Sequence, residues 1–181
     1  MDQNKRLWEV CAEFHGHECG GLTIGFKAAL YVMETMGLKR TENGCVDPCE
    51  DLVCVAENTS CSVDGIRAGL NCTENRGTLS FHITGEQAFT VFNRRTREAM
   101  RIVLKARPEG ITREQSFAYY QEMEPVEMFD RQPVDIKLPE TTWDEESYVC
   151  DRCGETGGAN WFRFVDGKPL CLDCFAELEE Q

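Results

Sequence analysis

No stretch of this sequence is apolar for long enough to cross a membrane, since none approaches the roughly 18 residues that a spanning helix requires. Basic residues are scarce as well. Lys and Arg number 19 against 32 Asp and Glu, giving a formal net charge of −13. That balance argues against a nucleic-acid surface, whose affinity comes largely from clustered cations. Gly-rich phosphate loops of either standard spacing are missing, and so are internal repeats and low-complexity tracts. The opening residues MDQNKRLWEVCAEF lack the apolar core and cleavage site of a signal peptide, so the expected location is the cytoplasm. Histidine occurs only three times, whereas cysteine occurs eleven times. In a reducing compartment such a count points to metal or redox chemistry before it points to disulfides.

The length of 181 residues allows one medium domain plus a small module. Leu7, Val10, Cys11 and Phe14 recur at helical spacing and predict a helix over about 3–14. Leu22, Phe26, Ala29, Leu30, Met33 and Met36 predict a second one ending near Gly37. Residues 38–51 read as a polar loop holding Cys45 and Cys49. LVCVAE at 52–57 reads as a buried strand, and Asn58, Thr59 and Ser60 are good caps for the helix CSVDGIRAGL. Strands are expected at Thr78–Ile83, Ala88–Asn93 and Ala99–Lys105, then a helix capped by Thr112, then a last strand near 133–138. Helices first, a strand–helix unit and then a meander make an α+β domain over 1–138, a sheet covered by helices. Acidic, turn-forming PETTWDEES supplies a linker at 139–147.

A distinct module follows at 148–181. Cys150-Asp-Arg-Cys153 and Cys171-Leu-Asp-Cys174 are two C-x2-C pairs with seventeen residues between them, inside the zinc-ribbon range. Four soft, roughly tetrahedral ligands are what zinc requires. Residues 161–165 alternate toward a turn at DGK, which predicts a hairpin, and CFAELEE reads as a short helix. Knuckle, hairpin and helix in that order make a treble-clef zinc finger. A closed all-thiolate site leaves no position for substrate, so its zinc is structural. From Thr141 onward ten acidic residues stand against three basic ones, which argues against DNA binding by this finger.

The remaining cluster is FHGHECGGLTIGFKAAL at 14–30. His17 and Cys19 form a donor pair suited to zinc or another divalent transition metal. Cys61 falls at a helix start, where the dipole favours a thiolate. Spacing alone does not bring residues 17 and 61 together. FHGHECGGLTIGFKAA resembles the signature FHGHxCPGLxxGxxxA of the FmdE family, which is named for a subunit of molybdenum formylmethanofuran dehydrogenase. ENTSCSVDGIRAGLNCTENRGTL at 57–79 resembles that family's E-x3-C-x2-D-x-I and GCTxGxGNL motifs. Gly20 replaces a proline, Asn71 and Glu74 replace glycines, Thr78 replaces an asparagine, and His82 replaces an aspartate.

The resemblance spans roughly 8–138 and implies a thioredoxin-like core with a mixed sheet, dimeric, carrying a metal-binding active site. Carried over, that site is His17, Cys19 and Cys61, with Cys72 a candidate fourth ligand. It also implies association with a molybdenum enzyme, either as a catalyst on an unknown small molecule or as an accessory that senses or delivers metal or cofactor.

Glu57 ends a strand leading to Cys61, which makes it a candidate general base or a partner to His17. Asp64 reads as a helix N-terminal charge and His15 as a residue that orients the loop. Cys45, Cys49, Cys54 and Cys61 fit neither common ferredoxin spacing. Cys11 and Cys54 read as core.

Overall fold

The computed structural model describes residues 2–49, 51–134, 136–138 and 146–179. The Asp2 carboxylate accepts the Asn4 N–H at 2.9 Å and starts α1 (Gln3–His15), which ends at Gly16 in the left-handed conformation. α2 (Gly20–Thr35) is apolar on nearly all sides and therefore lies in the middle of the molecule's larger unit. β1 (Leu52–Ala56), buried along its whole length, leads to α3 (Ser62–Leu70) and then to β2 (Leu79–Phe81). After these come β3 (Ala88–Asn93), β4 (Glu98–Leu104), α4 (Arg113–Glu122), α5 (Pro125–Met128) and β5 (Phe129–Gln132).

These strands form one mixed α+β sheet in the order β2-β1-β3-β4-β5. β2 is parallel to β1 through the α3 crossover, and the other pairs are antiparallel. The expected three-strand meander is thus displaced by one strand and consists of β3, β4 and β5. The closing strand lies at Phe129–Gln132 rather than near 133–138. Pro133 has no N–H to give a ladder, so pairing stops before it. The alternation of Val134, Ile136 and Leu138 serves a different purpose. These side chains cover Val53, Val55 and Phe92 on the sheet face away from the helices. On the other face Cys54, Ala56, Phe89, Val91, Met100 and Ile102 share one core with α1, α2 and α3.

Where α2 crosses α3, only backbone fits. A Cβ on Gly25 would lie 1.9 Å from the Ser62 carbonyl oxygen, and one on Gly65 would lie 2.4 Å from the Phe26 nitrogen. This close crossing brings the start of α3 beside the start of α2. Lys27, nearly buried in α2, donates to the carbonyls of Gln121 and Met123 at 3.1 and 2.7 Å and so fastens the C-terminal end of α4. Its burial lowers its pKa.

The chain divides into two compact units, Met1–Pro139 and Glu140–Gln181. The linker expected at 139–147 lies outside the described residues except for Glu146 and Ser147. In the second unit β6 (Ser147–Val149) pairs with β7 (Thr156–Gly158), and β8 (Phe162–Val165) pairs with β9 (Lys168–Cys171) ahead of α6 (Leu172–Glu179). Asp166 and Gly167 both have positive φ, as a two-residue hairpin turn requires. Among the described residues no helix is long and apolar enough to cross a membrane.

Candidate metal centres

The ligand atoms of Cys150, Cys153, Cys171 and Cys174 lie within 4.8 Å of one another, and the Cys153 and Cys171 sulfurs are 3.8 Å apart. A tetrahedral zinc with bonds of about 2.3 Å places its sulfurs about 3.8 Å apart, so this donor set fits that ion. Gly154, with φ of 77°, turns the knuckle back so that its N–H meets the Cys150 carbonyl at 2.9 Å. The Cys150 thiol is lowered to about 6, chiefly because the Cys153 N–H points at it, with the Cys171 and Arg152 N–H groups helping. A sulfur held ionised in this way is ready to ligate. Phe162 and Leu170 pack between Cys150 and Cys174 in a small apolar cluster.

In the larger unit, His15, His17 and Cys19 bring one ligand atom each within 4.8 Å of the others. His15 is the last residue of α1 and Cys19 caps α2, so a three-residue turn between two helices makes the site. The Cys19 sulfur accepts the Leu22 N–H at 3.3 Å and lies 3.8 Å from the His15 Nε2. The two imidazoles stack with centroids 4.4 Å apart. The other His15 nitrogen, Nδ1, is 2.7 Å from the Asp64 carboxylate. Asp64 is held in turn by Arg67 at 2.9 Å, and Arg67 also pairs with Glu74.

His15 is therefore part of the donor cluster, not merely an orienting residue, and Asp64, the acidic residue in the first turn of α3 as expected, is also its partner. A carboxylate on the far imidazole nitrogen fixes tautomer and ring orientation, the usual support for a metal-ligating histidine. Asp64 lies three residues after Cys61 in the first turn of α3, but nothing in the sequence places it beside His15.

Cys61 sits at the start of α3, half-buried beside Cys19. A Cβ on Gly21 would meet the Cys61 sulfur at 3.7 Å and the Cys19 sulfur at 3.9 Å, so both thiols flank this glycine. Burial raises the Cys61 thiol, and the neighbouring Cys19 raises it further. Gly20 and Gly21 form the first turn of α2. Their missing side chains admit Ser116 and Cys61.

Cys61 thus lies beside Cys19 but outside the group formed by His15, His17 and Cys19, and two further expected residues are away from it altogether. Cys72 is fully buried, donates to the Leu52 carbonyl at 3.5 Å, and is pushed up to about 12 by that burial. It belongs to the core because the turn after α3 points it under β1. Glu57 is clasped by Arg101 through two hydrogen bonds of 2.6 Å and accepts a third from Thr84 at 3.3 Å. The Arg101 hydrogen bonds hold its carboxyl below the usual value. A carboxylate so occupied is a poor proton acceptor, so Glu57 is a structural anion rather than a general base. Among the described residues no third group of ligating side chains converges, Cys45 and Cys49 included.

Cys61 faces two clefts. One of about 440 Å³ runs past His15, Asp64, Arg67 and Phe81. The other, of about 720 Å³, is bounded by Cys19, Gly21, Gln87, Arg107, Phe117 and Tyr120 among others. Its volume is in the range of small-molecule sites.

The family model described as FmdE, Molybdenum formylmethanofuran dehydrogenase operon, matches residues 14–133. A protein of Archaeoglobus fulgidus described as a probable S-adenosyl-L-methionine-binding protein is 25% identical to this chain. That alignment covers 93% of this chain and 52% of the relative, so the chain spans about half the length of the curated protein it matches. The crystal structure of a protein from Syntrophus aciditrophicus, described as like the FmdE subunit of a tungsten formylmethanofuran dehydrogenase, matches with a TM-score of 0.64 and 23% identity. It covers 96% of this chain and 92% of that one, a likeness of fold.

Proposed function

This chain belongs to the FmdE family, and from that premise we propose that it is a metalloprotein with a transition-metal site in the core and a structural zinc in its finger. The observation that carries the core site is the convergence of His15, His17 and Cys19, with the Asp64 carboxylate 2.7 Å from the far side of His15. In this reading His15, His17 and Cys19 hold a divalent ion, zinc or a relative of it, and Cys61 completes the set. Two thiolates and two neutral imidazoles balance the charge of such an ion. With all four donors engaged the ion would be closed to substrate, and it would supply a Lewis acid at the mouth of the larger cleft only where Cys61 gives up its place.

The chain's own residues do the rest. Asp64 keeps the His15 Nδ1 proton in place and leaves Nε2 free as a donor. The Leu22 N–H at the start of α2 holds the Cys19 sulfur in position. The clefts on either side of Cys61 admit a small molecule.

The exposure of His17 favours a second reading, in which the site passes metal or cofactor to another protein rather than catalysing a reaction. The family description ties FmdE to the molybdenum formylmethanofuran dehydrogenase operon, so that enzyme is the partner we propose. Self-association as a homodimer, kinship with thioredoxin-like folds and a cytoplasmic location belong to the same reading. The name of the Archaeoglobus relative makes S-adenosyl-L-methionine a ligand to titrate.

Metal stoichiometry tests the proposal. Protein purified without added metal and then reconstituted should hold two equivalents per chain. Cys19→Ser should hold one, and Asp64→Asn should bind the core metal about 10–100-fold more weakly while sparing the finger. Two equivalents in Cys19→Ser with unchanged affinity would refute the core assignment.

A further inference from the structure

Three helices begin at the cleft of about 720 Å³. Gly20 and Gly21 open α2, Ser60 and Cys61 precede α3, and Glu114, Ser116 and Phe117 belong to the first turns of α4. The starts of α2 and α4 are capped, Leu22 N–H by the Cys19 sulfur and Gln115 N–H by the Thr112 hydroxyl, so what the three ends bring to the cleft is the positive partial charge of their dipoles, set against the Glu18 and Glu114 carboxylates on the same lining.

Two side chains add to that field. Arg107 lines the cleft, and among the described residues no carboxylate pairs with it. Tyr120, only 6% exposed, also lines it, and among the described residues its hydroxyl has no hydrogen-bond partner. The hydroxyl oxygen itself reaches the water of the cleft, so it can turn its hydrogen to an acceptor there. Arg107 is close enough to act electrostatically on it. Glu18, another rim residue, is occupied by the Trp8 indole N–H at 3.0 Å.

The remaining wall is apolar and aromatic: Ile24, Leu104 and Phe117, with Phe117 packed on Trp8. The opposite end is closed by Cys19 and Cys61. Gln87 is fixed there by Ser60 and Ser62 at 2.9 and 2.8 Å, giving the cleft a rigid polar corner.

We propose that this cleft binds a small organic anion, its oxyanion group held by the Tyr120 hydroxyl and the Arg107 guanidinium and its apolar body lying along Ile24, Leu104 and Phe117. The far end of that molecule reaches Cys19 and Cys61. This last point alone rests on the metal reading; the anion pocket stands on its own residues.

Calorimetry on the full, metal-loaded chain tests it with three probes of one shape: 1-naphthoate, 1-naphthyl phosphate and the neutral 1-naphthalenemethanol. The expected result is one anion per chain with Kd below about 1 mM, and the alcohol weaker by about tenfold. Tyr120→Phe, which removes only the hydroxyl, and Arg107→Ala should each weaken the anions by about fivefold or more and leave the alcohol unchanged. Arg107→Lys should restore part of the loss. Preference for the naphthoate identifies the group as a carboxylate, and preference for the phosphate identifies it as a phosphoryl; either supports the pocket.

Absence of anion binding, equal binding of anion and alcohol, or insensitivity to both substitutions overturns it. Metal is measured on the same samples. A chain that lacks the core equivalent yet still binds the anions through Tyr120 sinks the metal reading alone. A fully loaded chain that does not discriminate sinks this inference alone.

Discussion

Cys19 is both a helix cap and a proposed ligand, and the two roles reinforce each other. Its sulfur takes the Leu22 N–H at the start of α2, which holds it in the place where a metal would need it. The sequence made His17, Cys19 and Cys61 legible through their residue types and their motif. It did not reveal the roles of His15 and Asp64, which depend on a contact 49 residues apart across two helices. Glu57 misled for the opposite reason: a carboxylate at a strand end beside a cysteine motif looks catalytic until Arg101, 44 residues away, is seen to hold it.

That pair makes a pH prediction. The folded-state pKa of Glu57 lies below 4.5. Its contribution to stability is therefore complete above the unfolded value and is lost as pH falls through the lowered one. Glu57→Gln should cost about 2 kcal/mol at pH 7, because it leaves Arg101 without its main partner. Urea unfolding of metal-free protein should show the gap between wild type and variant closing as pH falls below the ordinary glutamate range. A gap that stays constant to pH 3 would contradict the ion pair, and loss of the core metal in Glu57→Gln would contradict its structural assignment.

At the scale of elements, the crossing of α2 and α3 sets where the candidate ligands can stand. Gly25, Ala28 and Ala29 are small enough in the sequence to predict that α2 sits close against a sheet, but what Gly25 meets is the backbone of α3. The partner surface, Gly65 and Gly69 on α3, becomes recognisable only once the helices are seen to cross. The strand expected near 133–138 followed an alternation that is real, but the pattern marks side chains covering a sheet rather than joining it. Pro133 was the discriminating residue.

Because a Cβ on Gly25 meets backbone, not a flexible side chain, Gly25→Ala cannot be absorbed locally. It should destabilise the larger unit by about 3 kcal/mol, a drop in Tm on the order of 10 °C. The shift of α3 should also carry Cys61 away from Cys19 and weaken core metal binding. Thermal unfolding followed by circular dichroism reads the first effect, and a Tm within about 2 °C of wild type would show that the crossing is looser than described.

The whole molecule joins two units, each with its own set of metal donors and a different donor chemistry. The finger was legible almost entirely from sequence, since its four cysteines lie close along the chain and each C-x2-C knuckle is local. The core site was only half legible, because its donors arrive from three helices whose packing no short motif encodes. Zinc-edge X-ray absorption on a chain carrying Cys153→Ser and Cys174→Ser, reconstituted with one equivalent, isolates the core site. The expected spectrum is that of a mixed shell, about two imidazole nitrogens at about 2.0 Å and two sulfurs at about 2.3 Å. A shell of oxygen and nitrogen without sulfur, or no retained metal at all, would contradict the proposed core centre.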